Sequence, residues 1–289
     1  AISVLFLAGC SLGSSSSDGG VLRSDDAGKS FVQKVKIDEK AAIGGVDVLS
    51  LAVNPQNGSE VYIGTKSNGV FKTTNAGETW QAVKVSPSAV TKAYAIGIDP
   101  INPNTVYVAA VADGRGKILK STDVGETWKE VYTEPSSGSF VLALAIDSAG
   151  SGKIFGGTTE GQIIFSDNSG DSWKNLYQVQ GQISKIAIDS MNSNLAYFAV
   201  SQGGLLRTKD GGKNFENLGE NNKFNAQQQF GSPVAITSDP YKANWIYAGT
   251  TTGLFRSKNN GDDWEIMKVL NIPEEIAIRG IAITPQNSA

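Results

Sequence analysis

Histidine is absent from all 289 residues, which removes the commonest general base and the commonest metal ligand together. Cysteine occurs once, at Cys10, so neither an internal disulfide nor a thiolate metal cluster can form. Charge is sparse and almost balanced, with 25 Lys and Arg against 28 Asp and Glu. That composition supplies no basic face of the kind a nucleic-acid partner requires. The apolar opening stretch, AISVLFLAG from Ala1 to Gly9, is too short for a membrane-spanning helix. These absences predict a chain with no metal, no cofactor and no nucleic-acid partner. Glycine is plentiful at 33 residues, which suits many short strands and turns within one large all-β domain.

An octet recurs six times: SDDAGKSF from Ser24, TTNAGETW from Thr73, STDVGETW from Ser121, SDNSGDSW from Ser166, TKDGGKNF from Thr208 and SKNNGDDW from Ser257. The starts lie 49, 48, 45, 42 and 49 residues apart, a period that points to a propeller or solenoid. Position one is Ser or Thr. Position three is Asp26, Asn75, Asp123, Asn168, Asp210 or Asn259, a short side chain that holds a turn by accepting backbone N–H bonds. Position five is always glycine, which takes a positive φ without steric cost. Position eight is Phe31, Trp80, Trp128, Trp173, Phe215 or Trp264, a ring that opens the next strand and anchors it. Each octet therefore reads as a hairpin turn with an anchor.

Strand patterns flank every octet. Val48–Val53, Val61–Thr65, Gly69–Lys72 and Trp80–Val85 form one unit of four strands, and the first of these is an apolar run suited to an inner strand buried on both faces. The template recurs through Ala93, Val141, Ile183 and Val234. It begins in mid-unit at Gly20–Arg23 with no strand pair before it, and ends on an inner-strand pattern at Arg279–Ile283 followed by the turn Thr284–Asn287. Four strands per ~45 residues is the size of a propeller blade.

The octets resemble the Asp box, S/T-x-D-x-G-x-T-W/F, of the bacterial neuraminidase repeat. That motif is shared by sialidases, xyloglucanase-type glycoside hydrolases, sortilin-type receptors and photosystem II assembly-factor propellers. The resemblance covers nearly the whole chain, from about Gly20 onward. It implies an all-β fold, a single β-propeller of four-stranded antiparallel blades over residues 21–289. Five complete units plus the two partial ends give six blades, or seven if the chain is truncated. The resemblance puts ligand sites at the end of the propeller opposite the octets. The box itself is a structural turn in members with and without activity.

The N-terminal segment carries a second resemblance. Leu7-Ala8-Gly9-Cys10 is similar to the bacterial lipobox, which implies that residues 1–9 are the remnant of a secretory signal and that Cys10 is lipidated. Residues 10–20 then form a Ser/Gly tether. The implied localisation is extracytoplasmic, on a membrane of the bacterial envelope.

Candidate sites are few. A sialidase-like site needs three converging arginines with a Tyr/Glu pair, and no Arg-Ile-Pro motif of that family is present. Of the five arginines, Arg23, Arg207 and Arg256 stand directly before octets, where Lys72 and Lys120 stand in two others, and read as solvated strand positions. A xyloglucanase-like site needs two carboxylates flanking a glycosidic bond. Glu134 and Glu160 qualify by position, though both read as exposed loop residues. Asp99, Asp147, Asp189 and Asp239 recur where inner strands end and read as turn braces. The non-repeated features are the polar crossing Asn217–Ser232, with Phe224, Gln229 and Phe230, and the hairpin tip at Asp113–Gly116, with Arg115. Aromatic faces among amides suit a sugar or a peptide, and a lone Arg in a Gly-rich tip suits a carboxylate or phosphate. The leading expectation is a non-enzymatic surface lipoprotein whose propeller binds a protein or a glycan. The alternatives are a glycoside hydrolase and a photosystem-assembly-factor-like protein.

Overall fold

A computed structural model describes residues 5–9 (as backbone), 20–26, 28–38, 41–86, 89–201, 204–218, 230–267 and 277–283. The chain divides into two compact units, Ala1–Val141 and Leu142–Ala289.

The first unit contains three antiparallel sheets. Strands β1 (Leu5–Gly9), β2 (Gly20–Ser24) and β3 (Val32–Gln33) form a three-stranded sheet. Strands β4 (Val48–Asn54), β5 (Asn57–Thr65), β6 (Val70–Thr73) and β7 (Gln81–Val83) form a four-stranded sheet in sequence order. Strands β8 (Val90–Ile98), β9 (Val106–Ala112), β10 (Arg115–Ser121) and β11 (Lys129–Thr133) form another.

The second unit repeats the plan three times. Its sheets are β12 (Val141–Ile146) to β15 (Lys174–Gln178), β16 (Ile183–Ile188) to β19 (Glu216–Asn217), and β20 (Pro233–Ser238) to β23 (Glu265–Met267). Between those bounds lie β13 (Ile154–Thr158), β14 (Gln162–Ser166), β17 (Ala196–Val200), β18 (Gly204–Thr208), β21 (Ile246–Thr250) and β22 (Gly253–Ser257). The architecture is thus that of β-propeller blades, each a four-stranded antiparallel meander with an octet joining its third strand to its fourth.

Three expectations need correction. The described residues make five four-stranded blades and one three-stranded sheet, not six or seven blades. The segment expected as a final inner strand, Arg279–Ile283, is not a strand. Its approach to the sheet is through Ile278, whose N–H donates to the Thr250 carbonyl at 3.0 Å. A strand needs a ladder of such bonds, and periodic apolar residues alone do not provide one. Third, although no strand pair precedes the first octet hairpin among the described residues, the segment read as a signal remnant contributes one strand to its sheet. Residues Leu5–Gly9 pair with β2 in antiparallel register, from Leu5 opposite Ser24 to Gly9 opposite Gly20. They occupy the place that β5 or β9 takes in its own blade.

Burial follows strand position within each blade. The second strands are the most covered: every residue of β13 and β17 is buried. The fourth strands are the most open, as in β15. The first strands were expected to be buried on both faces, yet β12 and β16 alternate between buried and half-buried or exposed. A first strand has one hydrogen-bonded neighbour, whereas a second strand is flanked on both edges and covered on both faces by packed side chains. First strands also carry most of the register shifts, at Val48/Ser50, Ala93/Ala95, Ile183/Lys185 and Pro233/Ala235. Such bulges bend an edge strand away from flat pairing. Blades stack closely where small residues allow it. A Cβ at Gly157 on β13 would lie 2.4 Å from Ile183 Cγ2 on the next blade, so only glycine permits that approach.

Candidate functional site

The octets are built by one repeated set of hydrogen bonds. The position-one hydroxyl donates to the position-three oxygen at 2.8–2.9 Å in all six copies. The glycine N–H donates back to that hydroxyl at 2.7–3.0 Å. The position-seven N–H donates to the same position-three oxygen at 2.8–3.0 Å. Each octet glycine has φ between 82° and 91°. Position four is also left-handed, at Ala76, Val124, Ser169, Gly211 and Asn260, with φ between 56° and 71°.

The direction of the bond to the position-seven side chain follows the choice between Asp and Asn at position three. Where position three is Asp, the position-seven side chain donates: Ser30 to Asp26, Thr127 to Asp123, Asn214 to Asp210. Where it is Asn, its amide donates instead, from Asn75 to Thr79, Asn168 to Ser172 and Asn259 to Asp263. The last two octets hold the same pair in opposite order, Asp210–Asn214 and Asn259–Asp263. Asn259→Asp would therefore set two carboxylates against each other, and we expect it to cost about 1 kcal/mol, the scale of a lost capping side chain. The double variant Asn259→Asp with Asp263→Asn should recover that loss. Urea midpoints of the three proteins check both statements.

These bonds also set the acidity of the octets. The carboxyls of Asp26 and Asp123 are held down to about 2, first by the hydroxyl at position seven and then by its N–H. Asp210 is likewise held to about 2, first by the Asn214 N–H and then by the Asn214 amide. An unfolded Asp titrates at ~3.9. The folded values lie below that, so these groups contribute stability above about pH 4 and lose it as pH falls through about 2. Unfolding midpoints should fall across that window. Asp123→Asn, which copies the Asn75–Thr79 arrangement, should flatten the fall. A pH series of urea titrations reads this.

Three of the charged residues ahead of octets, Arg23, Lys72 and Arg207, are not the solvated strand positions that the sequence suggested. Arg23 donates to the carbonyl of Ala76 at 2.7 Å, position four of the next octet, and pairs with Glu78, position six of that octet, at 3.1 Å. Lys72 donates to the carbonyl of Val124 at 3.0 Å. Arg207 donates to the carbonyl of Asn260 and pairs with Asp262 at 2.7 Å and with Glu216. Arg256 pairs with Glu265. Arg23, Lys72 and Arg207 thus clasp one blade to the next, whereas Arg256 pairs within its own blade. Arg207 is 2% exposed.

The remaining acids are equally committed. Asp99, Asp147, Asp189 and Asp239 each accept N–H bonds from residues two to four places ahead, at 2.9–3.4 Å. Asn54 does the same at the end of β4. Glu60, which the sequence did not single out, is buried and held by Asn54, Tyr62 and Lys72 at 3.1–3.2 Å. Burial, then the charge of Glu60, raises the Tyr62 phenol well above its ordinary range. Glu134 is not an exposed loop residue: it is 1% exposed, with the Tyr132 hydroxyl donating to it at 3.2 Å. Its backbone partner on β10, Gly116, is closely covered, because a Cβ there would meet the Ser139 carbonyl at 2.6 Å. Glu160 is exposed.

The non-repeated candidates separate in space. Arg115 is exposed at the start of β10, after a turn with φ of 53° at Asp113 and 74° at Gly114. Phe230 packs against Phe255 and Trp264, with centroids 4.9 and 5.3 Å away. Cys10, Phe224, Gln229 and the tether at 11–19 lie outside the described residues. Among the described residues no group of three His, Cys, Asp or Glu side chains is placed to hold a metal ion.

Comparison with known proteins agrees with this architecture. The family model of sortilin and neurotensin receptor 3 (Sortilin-Vps10) matches residues 19–155. No curated protein matches the chain. Among solved structures, the GH74 enzyme of Niastella koreensis is similar with a TM-score of 0.68 and 19% identity, over 84% of this chain and 42% of that one. The GH74 xyloglucanase of Xanthomonas campestris gives 0.68 and 18%, over 91% and 45%. YCF48 bound to D1 peptide gives 0.61 and 12%, over 86% and 74%. The chain spans less than half the length of the two GH74 structures. At these identities the likeness concerns the fold: the chain is an all-β propeller with four-stranded antiparallel blades, similar to sortilin-type, GH74 and YCF48 propellers.

Proposed function

We propose that the protein is a non-enzymatic binding scaffold, a β-propeller tethered through Cys10 to a bacterial envelope membrane and presenting a surface to a protein or glycan ligand. One observation carries the reading. The octet and strand-end aspartates hold turns, Arg23 and Arg207 join blades, and Arg256 pairs across strands of its own blade. Charges fixed by such bonds are poor acids, bases and substrate clamps, because each would have to abandon a structural partner to act. The fold likeness to YCF48 bound to D1 peptide supports peptide capture as one use of such a propeller. A screen of the whole chain on a glycan array, with products followed by mass spectrometry, tests the proposal. Binding without cleavage supports it, and cleavage of any glycan overturns it.

The second reading is a glycoside hydrolase, favoured by the higher TM-score and identity of the GH74 structures over YCF48. The third is an assembly factor like YCF48. Silence on the glycan array with capture of a peptide would favour the third.

Membrane attachment has its own test. Lipidation with more than one acyl chain holds a protein stably on a bilayer, whereas a single chain is marginal. Cys10→Ser is expected to move the protein from the membrane fraction to the soluble fraction while leaving its unfolding midpoint unchanged. Continued membrane attachment of that variant would refute the anchor.

A further inference from the structure

Between the fifth and sixth octets, Arg207 fills a slot with acid on both sides. Glu216 lies one place after the aromatic of its own octet, and Asp262 lies at position six of the next. The equivalent slot one blade earlier replaces both acids by lysines and the cation by a neutral ring. Phe165 stands where Arg207 stands, Lys174 where Glu216 stands, and Lys213 where Asp262 stands. The exchange of a long guanidinium for a phenyl ring leaves a pocket of about 520 Å³, floored by Phe165 and Leu176. Phe165 is 5% exposed and packed in the blade core, so the floor is fixed.

Four lysines line the opening, Lys153, Lys174, Lys209 and Lys213, against two aspartates, Asp167 and Asp210. Both aspartates have partners. Asp167 pairs with Lys174 at 3.3 Å, and Asp210 accepts bonds from Lys213 and Asn214 within its octet. Lys153 donates to Asn194 at 2.9 Å, a neutral partner that leaves its charge uncompensated. Lys209 reaches Glu216 at 3.3 Å. Lys174 lies over the Phe165 ring, 5.1 Å from its centroid. Lys213 makes no ion pair among the described residues. The pocket therefore has an apolar floor and an excess of positive charge, with the Lys153 ammonium near Gly211, where Arg207 serves the equivalent Asn260.

We infer that this pocket is a binding site for a small organic anion, a carboxylate, phosphate or sulfate carried on an apolar ring or chain. The charged end sits among the ammonium groups of Lys153, Lys174 and Lys213, and the apolar body lies on Phe165 and Leu176. A convergent set of polar groups over an apolar floor is the general form of a small-ligand site, and the nearby apolar surface strengthens each charge contact. The site lies on the octet side of the blades, so it does not depend on the scaffold reading above.

The test is a heteronuclear NMR titration of the whole chain with phenyl phosphate, beside inorganic phosphate and benzyl alcohol. Phenyl phosphate should shift amides of residues 167–174 and 209–214 with a dissociation constant on the order of 1 mM or tighter. Inorganic phosphate should bind more weakly and benzyl alcohol more weakly still. Lys174→Gln with Lys213→Gln changes two exposed residues and should weaken phenyl phosphate at least ~10-fold. Phe165→Arg with Lys174→Glu and Lys213→Asp rebuilds the Arg207 arrangement and should abolish binding. No shifts at millimolar probe, unchanged affinity in the lysine double variant, or benzyl alcohol binding as tightly as phenyl phosphate would each overturn the inference.

Discussion

Trp80→Ala is expected to lower stability by about 4 kcal/mol, more than the same change at any other octet aromatic. The ring is fully buried among Val21, Ile43, Val61, Ile63 and Phe71. Both of its N–H groups leave its own octet. The indole Nε1–H donates to the Lys34 carbonyl at 2.9 Å, and the backbone N–H donates to the Lys36 carbonyl at 2.8 Å. Trp128, Trp173 and Trp264 instead donate to the carbonyl of their own octet glycine at 3.0 Å. Trp173 and Trp264 are also only half-buried. Truncating either should cost about half as much, since less apolar surface returns to water. Trp80→Phe keeps most of the ring and orphans the Lys34 carbonyl, so about 1–2 kcal/mol should be lost. Urea unfolding followed by circular dichroism orders the four proteins. Equal losses at Trp80 and Trp173 would contradict the argument.

Arg207→Leu is expected to cost about 2–3 kcal/mol. Removing one partner from a buried ion pair commonly costs ~3–5 kcal/mol. Here the figure is smaller, because Glu216 and Asp262 are 41% and 54% exposed and rehydrate when the guanidinium is gone. What remains is the orphaned Asn260 carbonyl and the lost packing of a side chain that is 2% exposed. Arg207→Lys keeps the charge but cannot span three acceptors, and should lose about 1 kcal/mol. Arg256→Leu is the contrast. Its side chain is 24% exposed and its partner Glu265 is 47% exposed, so the loss should stay under about 1 kcal/mol and vanish in high salt. Urea titrations at low and high salt separate the two arginines.

The sequence carries the blades in plain form. Short apolar runs between turn residues place β12, β16 and β17 at their observed bounds. The octet turns follow from side chains whose hydrogen bonds are local. Contacts made through the backbone are far less legible. The acceptors of Arg23, Lys72 and Arg207 are carbonyls of Ala76, Val124 and Asn260, and a carbonyl leaves no mark on residue identity. The left-handed conformation at position four is hidden for the same reason, since five different residue types adopt it. Glu134 reads as a loop residue because its burial comes from the Gly116 and Ser139 backbone folding over it. Arg279–Ile283 has the composition of a strand and no ladder to join. The pocket at Phe165 was visible in principle. Aligning the chain on its own repeats shows one phenylalanine in a column otherwise filled by Arg and Lys.

Three cation clasps between blades point one way along the chain. Arg23 grips the second octet, Lys72 the third and Arg207 the sixth, each reaching toward its successor. A fluctuation that opens the sixth octet releases Arg207 and loosens the blade behind it. Opening the fifth strand pair removes a ligand from the sixth octet while leaving its internal turn bonds whole. Coupling between the two blades is reciprocal, so opening either side leaves the Arg207 guanidinium or its carbonyl acceptor without its partner.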